Sequence, residues 1–374
     1  MKFWSTVLLV SILIISVSSR TFGEERAFFR GLGSFPESNQ KTDALIVSAD
    51  GTSVVATGIQ LFGGTGALFW DLDTDRKIRF GATPSTRSKL TMTFPKATNG
   101  TVVVGSTFAP VEEETSKTEA FMWTEAQGIK GLGDLPGGEF ESSANAISAD
   151  GTVVAGTATS EKGTEAFVWT EAMGMRGLGD LSGGEYKSRA NAISADGTVV
   201  AGTATSEKGT EAFVWTEAMG MKGLGDIPRG EFNSSVTDMS ADGTVVVGRG
   251  NFEKREPGIP GYEAMTWTEA DGMQGLGHLP SDLPLSIARA VSDDGSTIVG
   301  ISAVRGNEQE VFIWDNNQKM RSLKDVLEQE YSLDLSNWSL TEVSDISADG
   351  LTIVGSGFNW QERIYQGWAA RLGS

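Results

Sequence analysis

The side chains that most often carry out covalent catalysis or bind transition metals are scarce in this sequence. Its 374 residues contain no cysteine and a single histidine, His278. A Ser-His-Asp or Cys-His arrangement needs a histidine beside its nucleophile, and zinc sites need several histidines or cysteines. His278 replaces the aspartate of a recurring Gly-Leu-Gly-Asp segment, so we interpret it as a turn residue. The sequence therefore predicts no catalytic residue, no metal site and no cofactor.

Carboxylates, by contrast, are abundant, with 49 aspartates and glutamates in the chain. Glycoside hydrolysis uses two acids about 5–9.5 Å apart around one bond, and the sequence singles out no such pair. The recurring segment Ser-Ala-Asp-Gly-Thr-Val is similar to the Asp-box of sialidase propellers, but it lacks the residue between Asp and Gly and the closing aromatic. A carbohydrate-active enzyme, a sialidase-like glycoside hydrolase with paired carboxylates, is therefore the alternative to a non-catalytic protein.

A second set of acids lies beside aromatic residues at equivalent places in three repeats. An acid next to an aromatic ring, repeated around an assembly, can bind sugar or peptide by stacking and hydrogen bonding. The other interpretation is that the ring fills a groove between repeats while the acid faces water. The predicted ligand-contacting pairs are Glu139 with Phe140, Glu185 with Tyr186, and Glu231 with Phe232.

The charge and the N-terminal segment restrict the partners and the location. The formal net charge is −19, which disfavours nucleic acid because that binding depends on basic residues that neutralise phosphates. Residues 1–22 contain a lysine, an apolar run of about 15 residues and small residues before Arg20, as in a secretory signal peptide. No second apolar run of membrane length follows. We expect a secreted, extracellular or periplasmic monomer without a membrane span after cleavage, with an unknown protein or glycan partner.

An exact internal duplication shows that the chain is built from repeats. Residues 144–175 recur unchanged at 190–221, 46 positions downstream, and repeats of this length are typical of propellers. Each repeat has an Asp-Gly or Asn-Gly pair before a β-branched run, the pattern of a two-residue type I′ hairpin turn. An aromatic strand such as AFVWT and a fourth strand ending in Gly-Leu-Gly follow. The pairs are Asp50-Gly51, Asn99-Gly100, Asp150-Gly151, Asp196-Gly197, Asp242-Gly243, Asp294-Gly295 and Asp349-Gly350.

The two ends of the chain complement each other. The last repeat stops after its third strand, while residues 28–33, FFRGLG, read as a fourth strand without its own repeat. Pairing of this strand with the C-terminal blade would close a ring and leave no exposed end. We therefore predict an all-β fold, in which residues 23–374 form a single seven-bladed β-propeller domain with four strands per blade. Residues 323–338 have apolar positions at helical spacing, and a helix there would cover the closing seam or cap the central channel.

The repeat also carries a family resemblance. The segment GLGDLPGGEFESSANAISADGTVVAGTATSEKGTEAFVWTEAMGM resembles the HAF repeat of exported bacterial proteins, which is named for a His-Ala-Phe triplet. The resemblance covers about residues 31–374. Here the triplet reads Glu-Ala-Phe at 119–121, 165–167 and 211–213, so the histidine of the family is replaced. The resemblance implies an extracellular repeat protein of unassigned molecular function, with no family active site.

These observations favour an exported, non-catalytic repeat protein that serves as a binding, interaction or cell-envelope module. The tight turns are expected at one face of the propeller, and the longer connections at the other. Residues 131–176 and 177–222 differ at five positions, and four of them fall within 136–143 and its copy 182–189. Any specificity is expected there, on the face with the longer connections.

Overall fold

The regular structure of this chain is almost entirely β-strand. A computed structural model describes residues 26–33, 42–59, 65–81, 92–109, 117–228, 232–252, 261–281, 285–304 and 308–373. Within these ranges there are 28 strands and one helix. The predicted signal peptide, residues 1–22, lies outside the described residues, and the prediction of a single domain over 23–374 stays a prediction. None of the described helical structure is long and apolar enough to traverse a lipid bilayer.

The strands follow one another in sets of four, which we call units 1 to 7. Strand β1 (Phe28–Gly31) precedes unit 1 and belongs to unit 7. Unit 1 comprises β2 (Thr42–Val47), β3 (Ser53–Ile59), β4 (Thr65–Asp71) and β5 (Lys77–Gly81). Unit 2 comprises β6 (Met92–Thr98), β7 (Val102–Ala109), β8 (Lys117–Thr124) and β9 (Gly128–Gly131). Unit 3 comprises β10 (Gly137–Ile147), β11 (Val153–Ser160), β12 (Gly163–Thr170) and β13 (Gly174–Gly177).

The later units repeat this order. Unit 4 comprises β14 (Gly183–Ile193), β15 (Val199–Ser206), β16 (Gly209–Thr216) and β17 (Gly220–Gly223). Unit 5 comprises β18 (Ser234–Met239), β19 (Val246–Phe252), β20 (Gly261–Thr268) and β21 (Gly272–Gly275). Unit 6 comprises β22 (Ser286–Val291), β23 (Thr297–Ala303), β24 (Gln309–Asp315) and β25 (Lys319–Ser322). Helix α1 (Leu323–Gln329) precedes unit 7, which comprises β26 (Trp338–Ile346), β27 (Thr352–Asn359), β28 (Ile364–Arg371) and β1.

Each unit is an antiparallel meander, as the repeat pattern predicted. Units 1, 5, 6 and 7 are separate four-stranded sheets, while units 2 to 4 join into one twelve-stranded sheet. Parallel bridges join them, with Glu141 opposite Thr118 and Lys187 opposite Thr164. In unit 7 the N-terminal strand β1 supplies the fourth strand, and its Gly31 lies opposite Trp368 of β28.

The prediction of two-residue type I′ turns is wrong. In unit 3, Ile147 pairs with Val154 and the Ser148 N–H donates to the Val153 carbonyl at 2.9 Å, so that four residues, 149–152, form the loop. Gly151 has φ of 73°, but Asp50, Asp150 and their equivalents are absent from the described residues with positive φ. Asp150 is needed for its side chain, which accepts hydrogen bonds from Ser148 Oγ at 2.7 Å and from the backbone N–H of Thr152 at 3.0 Å. The carboxylate therefore caps the loop.

Unit 2 has a shorter turn than the other units. The backbone N–H of Asn99 donates to the Val102 carbonyl at 3.3 Å, which leaves Gly100 and Thr101 as the two central residues. Gly100 has φ of 93°, and Asn99 flanks the turn, accepting from the Thr101 N–H at 3.1 Å. The Asn-Gly pair is thus displaced by one position from its predicted role.

Aromatic side chains of the third strand pack between units, as the sequence predicted. Phe167 and Trp169 of unit 3 are buried against Val104, Ala120 and Leu132 of unit 2. Trp368 of unit 7 lies opposite Gly355, just as Phe167 of unit 3 lies opposite Gly156. This register confirms that Trp368 is the equivalent of Phe167. Burial of such rings contributes roughly 1.5–3 kcal/mol each, so the seams between units are a main source of stability.

A buried polar junction also joins units 2 to 6 in succession. The hydroxyl of Ser188 donates to the carbonyl of Gly179 at 2.5 Å and accepts from the Ala166 N–H at 3.0 Å. The Glu165 carboxylate accepts from the Gly179 N–H at 2.9 Å. A Cβ at Gly177 would lie 2.2 Å from Glu165 Oε1, so the glycine leaves room for this carboxylate. The first glycine of Gly-Leu-Gly therefore marks a close approach of a side chain, whereas the sequence predicted a twist or an approach of backbones.

The same junction occurs between the two ends of the chain. The Leu32 N–H donates to the Gly367 carbonyl at 2.8 Å, as Leu178 does to Ala166. Thr42 takes the place of Ser188: its hydroxyl donates to the Gly33 carbonyl, and the Gly367 N–H approaches it at 3.5 Å. Strand β1 is therefore related to β28 and β2 as β13 is to β12 and β14.

Backbone hydrogen bonds link the tight turns of successive units. In units 3 to 7, the N–H of one turn residue donates to a carbonyl in the turn of a neighbouring unit, at 2.8–3.1 Å. The last of these bonds runs from Ala348 of unit 7 to Ala49 of unit 1 at 2.9 Å. The donor and acceptor pairs are Ala149 with Ala195, Ala195 with Ala241, Ala241 with Asp293, Asp293 with Ala348, and Ala348 with Ala49.

Helix α1 lies where the sequence predicted a helix. It is capped by Ser322, whose hydroxyl accepts from the Asp325 N–H at 3.2 Å, and it buries Leu323, Val326 and Leu327. These side chains join a core cluster with residues of units 6 and 7, among them Trp338. The helix therefore covers the seam between units 6 and 7, and none of its residues lines the axial cavity described below.

Candidate functional site

The topology gives the described units two different faces. The connections from first to second strand and from third to fourth strand emerge at one end, which we call the tight-turn face. The connections from second to third strand and from one unit to the next emerge at the other end, the long-connection face. Two of the predicted Glu-aromatic pairs, Glu139 with Phe140 and Glu185 with Tyr186, lie in the first residues of β10 and β14, where the sequence predicted connections. These residues follow the unit-to-unit connections directly and so belong to the long-connection face.

The structure places these pairs separately, one in each of three units. Glu139 and Phe140 are exposed near the start of β10, and the ring of Phe140 is 38% exposed. Glu185 is exposed and Tyr186 is half-buried at the start of β14. Phe232 is half-buried, while Glu231 lies outside the described residues. No described contact brings two of the pairs together, so any shared ligand would have to span several units.

Two of the aromatic members lie close to lysines of the preceding unit. Lys162 Nζ lies 5.6 Å from the centre of the Tyr186 ring, and Lys208 Nζ lies 5.5 Å from that of Phe232. Burial, followed by the nearby Glu165 carboxylate, raises the pKa of the Tyr186 phenol to about 12. The ring of Tyr186 thus partly fills the groove between units 3 and 4, and Phe140 is the most exposed of the three rings.

A polar cavity of about 510 Å³ opens beside these residues, between units 3 and 4. Glu141, Ser143 and Asn145 of β10 line it together with Arg189 and Asn191 of β14. Threonines complete the lining, contributed by Thr118, Thr157, Thr159 and Thr164. Three of the residues that distinguish the duplicated segments, Glu141, Ser143 and Arg189, therefore line one cavity.

A second cavity, of about 320 Å³, is lined by the first strands of all seven units, and we call it the axial cavity. Each of these strands has a bulge whose extra residue stands two positions before the end of the strand. Bulges re-aim side chains, and in six units this extra residue lines the cavity. Those six are Leu45, Asn145, Asn191, Thr237, Arg289 and Ser344.

Two carboxyl groups in this axial cavity replace small or aliphatic residues of the other units. Asp238 Oδ2 accepts from the Val291 N–H and Asp345 Oδ2 accepts from the Val47 N–H, each at 2.9 Å. Burial raises the pKa of Asp238 to about 7. Burial, followed by repulsion from Asp238, raises the pKa of Asp345 to about 8. Asp293, which also lines the cavity, has its pKa raised by burial and then by Asp294.

The single histidine is exposed, and the Nδ1 atom of His278 lies 2.8 Å from the Leu279 carbonyl oxygen. In the described part of the chain, no three His, Cys, Asp or Glu side chains are grouped so that they could hold a metal ion. The candidate sites are therefore the two cavities, one lined by hydroxyl, amide and charged groups and the other by aliphatic residues with a few carboxyl, amide and guanidinium groups.

Sequence reasoning missed both cavities, although signals for them were present. Asp238 and Asp345 stand directly before Met-Ser-Ala-Asp-Gly and Ile-Ser-Ala-Asp-Gly, where units 3 and 4 have alanine. A charged residue in an otherwise apolar inner strand is such a signal. The presence of Glu141 and Arg189 in one cavity could not be read in the same way, because it depends on the distance between neighbouring units.

Comparison with protein-family models gives no match, and comparison with curated proteins gives none either. Among solved structures, TolB from Acinetobacter baumannii is 13% identical, with 87% of this chain and 81% of that chain covered and a TM-score of 0.45. The putative TolB from Agrobacterium tumefaciens is 12% identical, with 76% and 81% covered and a TM-score of 0.40.

A third solved structure is similar enough to inform the fold. The puromycin-hydrolyzing peptidase from Mycobacterium tuberculosis is 13% identical, with 92% of this chain covered and a TM-score of 0.54. This chain spans 56% of the length of the peptidase. At this identity the likeness concerns the fold alone, and together with the four-stranded units it shows an all-β chain of the β-propeller kind.

Proposed function

We propose that this chain is an exported, non-catalytic repeat protein of the HAF-repeat type, a closed seven-bladed propeller that binds a protein or glycan partner on its long-connection face. Support for seven blades comes from the seven units of four strands. Support for closure comes from the junction of β1 with β28 and β2, and from the hydrogen bond between Ala348 and Ala49. Support for export comes from the sequence of residues 1–22.

The observation that carries the binding role is the distribution of differences between units 3 and 4. Their buried strands are identical, while the exposed starts of β10 and β14 differ at Phe140/Tyr186, Glu141/Lys187 and Ser143/Arg189. A scaffold that needed only to fold would have no reason to vary at one face. Unpaired charges and a partly exposed ring at that face are suited to contacts with a partner.

Glycan and peptide arrays probed with the purified protein test this role. The variant Phe140→Ala/Tyr186→Ala should weaken binding by about tenfold or more, as expected for the loss of aromatic contacts at an interface. The control is Met173→Ala/Met219→Ala, because these side chains are 66% and 59% exposed in the same two units but at the tight-turn face. Binding that is lost equally in both variants, or no binding at all, would contradict the proposal.

One observation favours the alternative, a sialidase-like glycoside hydrolase. Asp238 and Asp345 line one cavity, and their raised pKa values would let one of them hold a proton at neutral pH, as a general acid must. Both carboxyl groups, however, already accept a backbone N–H, which gives them a structural role. Hydrolysis of aryl glycosides and sialosides by the wild type, abolished in Asp238→Asn and Asp345→Asn, would establish the enzyme. Absence of turnover would leave the non-catalytic proposal.

A further inference from the structure

The cavity between units 3 and 4 is lined by two residues of opposite charge. Glu141 comes from the first strand of unit 3 and Arg189 from the first strand of unit 4. Their side chains form no ion pair with each other, and within the described ranges neither has a hydrogen-bond or ion-pair partner. Charged residues near the connections from third to fourth strand do form ion pairs between units, for example Arg176 with Glu217. The open pair at this cavity therefore presents both charges to a ligand.

The rest of the lining is polar. Ser143, Asn145 and Asn191 add a hydroxyl and two amides, and the threonines add further hydroxyls, while no aromatic or large aliphatic side chain takes part. The Asn191 Oδ1 atom is buried without a hydrogen-bond partner, which leaves an acceptor unsatisfied in this wall. Burial of an apolar group against such a lining would leave polar atoms without hydrogen-bond partners, which is unfavourable. The ligand must therefore be polar throughout.

The charge of the whole protein further restricts the ligand. A net charge of −19 repels a plain anion before it reaches Arg189, and a plain cation would leave the guanidinium facing a like charge. A molecule with one positive and one negative group has no net charge to be repelled by the protein, and its negative group can face the guanidinium. Charge-assisted hydrogen bonds from both ends are then available, and Arg can hold a carboxylate through two parallel bonds.

We propose that this cavity binds a small, fully polar zwitterion, whose ammonium group pairs with Glu141 and whose carboxylate pairs with Arg189. This inference deepens the proposed binding role of the long-connection face and rests on it. A polar α-amino acid and an amino-sugar acid share this chemistry. The site is specific to one junction among units 3 to 5: Arg189 corresponds to Ser143 and Ser235, and Glu141 corresponds to Lys187 and Asn233.

Isothermal titration of the full chain tests the ligand class. The probes are L-serine and L-glutamine as amino acids, and muramic acid as an amino-sugar acid. N-acetyl-L-serine, which lacks the ammonium, and L-serinamide, which lacks the carboxylate, serve as matched controls. A zwitterion should bind with Kd of about 1 mM or tighter, and its singly charged relative about tenfold more weakly. The difference between serine and muramic acid identifies the source. If no zwitterion binds at about 10 mM, the inference is wrong.

Two substitutions test which group of the ligand each charged side chain binds. Arg189→Ser installs the residue of unit 3, and Glu141→Gln keeps the shape of the glutamate. Arg189→Ser should remove the preference for L-serine over L-serinamide, and Glu141→Gln the preference for L-serine over N-acetyl-L-serine. Arg176→Ser, which removes an arginine of unit 3 that does not line the cavity, should leave affinity within about twofold. Circular dichroism checks folding, and Arg189→Gln replaces Arg189→Ser if that variant unfolds.

The outcomes separate this inference from the proposed function. Array binding that depends on Phe140 and Tyr186, with no zwitterion bound, would overturn the inference and leave the proposed function standing. Zwitterion binding that neither Arg189→Ser nor Glu141→Gln changes would also overturn it. Zwitterion binding lost in both variants, with no array partner, would support the cavity and contradict a macromolecular partner.

Discussion

Asp345 Oδ2 accepts a hydrogen bond from the backbone N–H of Val47 at 2.9 Å, although 298 residues separate the two in sequence. Asp345 belongs to the first strand of unit 7 and Val47 to the first strand of unit 1. Asp238 makes the same contact with Val291 of unit 6. These carboxyl groups therefore join neighbouring units along the axial cavity, and one of them joins the first unit to the last.

Removal of the Asp345 carboxyl should weaken this contact between the ends of the chain. Asp345→Ala leaves the Val47 N–H without its acceptor, and we expect a loss of about 1–3 kcal/mol in the free energy of unfolding. Asp345→Asn retains an acceptor oxygen and should lose less than about 1 kcal/mol. Urea unfolding near pH 6 measures both values, and equal losses in the two variants would contradict a role for this hydrogen bond.

The same two carboxyls predict how stability depends on pH. Their folded pKa values, about 7 for Asp238 and about 8 for Asp345, lie above the ordinary aspartate value. The folded chain therefore keeps protons that the unfolded chain releases, and the free energy of unfolding falls as pH rises from about 4 to 8. The slope is at most about 1.4 kcal/mol per pH unit for each group.

Urea unfolding across this pH range gives the measurement, and Asp238→Asn/Asp345→Asn is the control. The charged groups that face the pair in the cavity are Asp293 and Arg289. Because they remain in the double variant, any slope left there belongs to them and to the rest of the chain. A double variant with the same slope as the wild type would show that the two carboxyls titrate normally.

The turn aspartates predict a loss of stability at the acid end. Hydrogen bonds from Ser148 and Thr152 lower the pKa of Asp150, and those from Ser194 and Thr198 lower that of Asp196. Stability from these caps is present above the unfolded aspartate pKa and is lost as pH falls through the folded values. The melting temperature should therefore decrease below about pH 4. Asp150→Asn/Asp196→Asn, which cannot titrate, should show a shallower decrease in the same thermal melts.

The fold could be predicted well because the repeat supplies many copies of one local pattern. Strand Val153–Ser160 and its partner Gly163–Thr170 follow from β-branched and aromatic alternation, and the N-terminal strand follows from its match to Gly-Leu-Gly. The turn type was predicted wrongly because Asp-Gly fits two loop classes. The hydrogen bond from Ser148 to Asp150, which decides between them, involves a side chain two residues before the pair.

The site was predictable only in part, for a physical reason. Exposure of Phe140 follows from its place in a connection, and variation between copies marked the correct face. Contacts such as Asp345 with Val47 are different, because no local pattern encodes which backbone N–H a distant strand will present. The cavity between Glu141 and Arg189 likewise depends on how two separate strands are spaced.

The seam between units 2 and 3 should depend strongly on one ring. Phe167 is completely buried between these units, and Phe167→Ala should cost about 3–5 kcal/mol because it leaves a cavity. Met173→Ala, in the same unit but at an exposed turn, should change the free energy of unfolding by less than about 0.5 kcal/mol. Chemical denaturation of the two variants gives the comparison, and similar losses would mean that the seam repacks.

Strand β1 should be required for a stable seventh unit, and Phe29 is its most sensitive side chain. The Phe29 ring lies 5.0 Å from that of Trp338, edge to face, and 6.0 Å from that of Trp368. Because Phe29 is half-buried, Phe29→Ala should cost about 2–3 kcal/mol, and loosening of β1 would expose the edge of β28. Urea unfolding, dye binding to exposed apolar surface and size-exclusion chromatography measure these effects, with exposed Arg26→Ala as the control. If Phe29→Ala matched the wild type in all three measurements, the N-terminal strand would not be what completes the last unit.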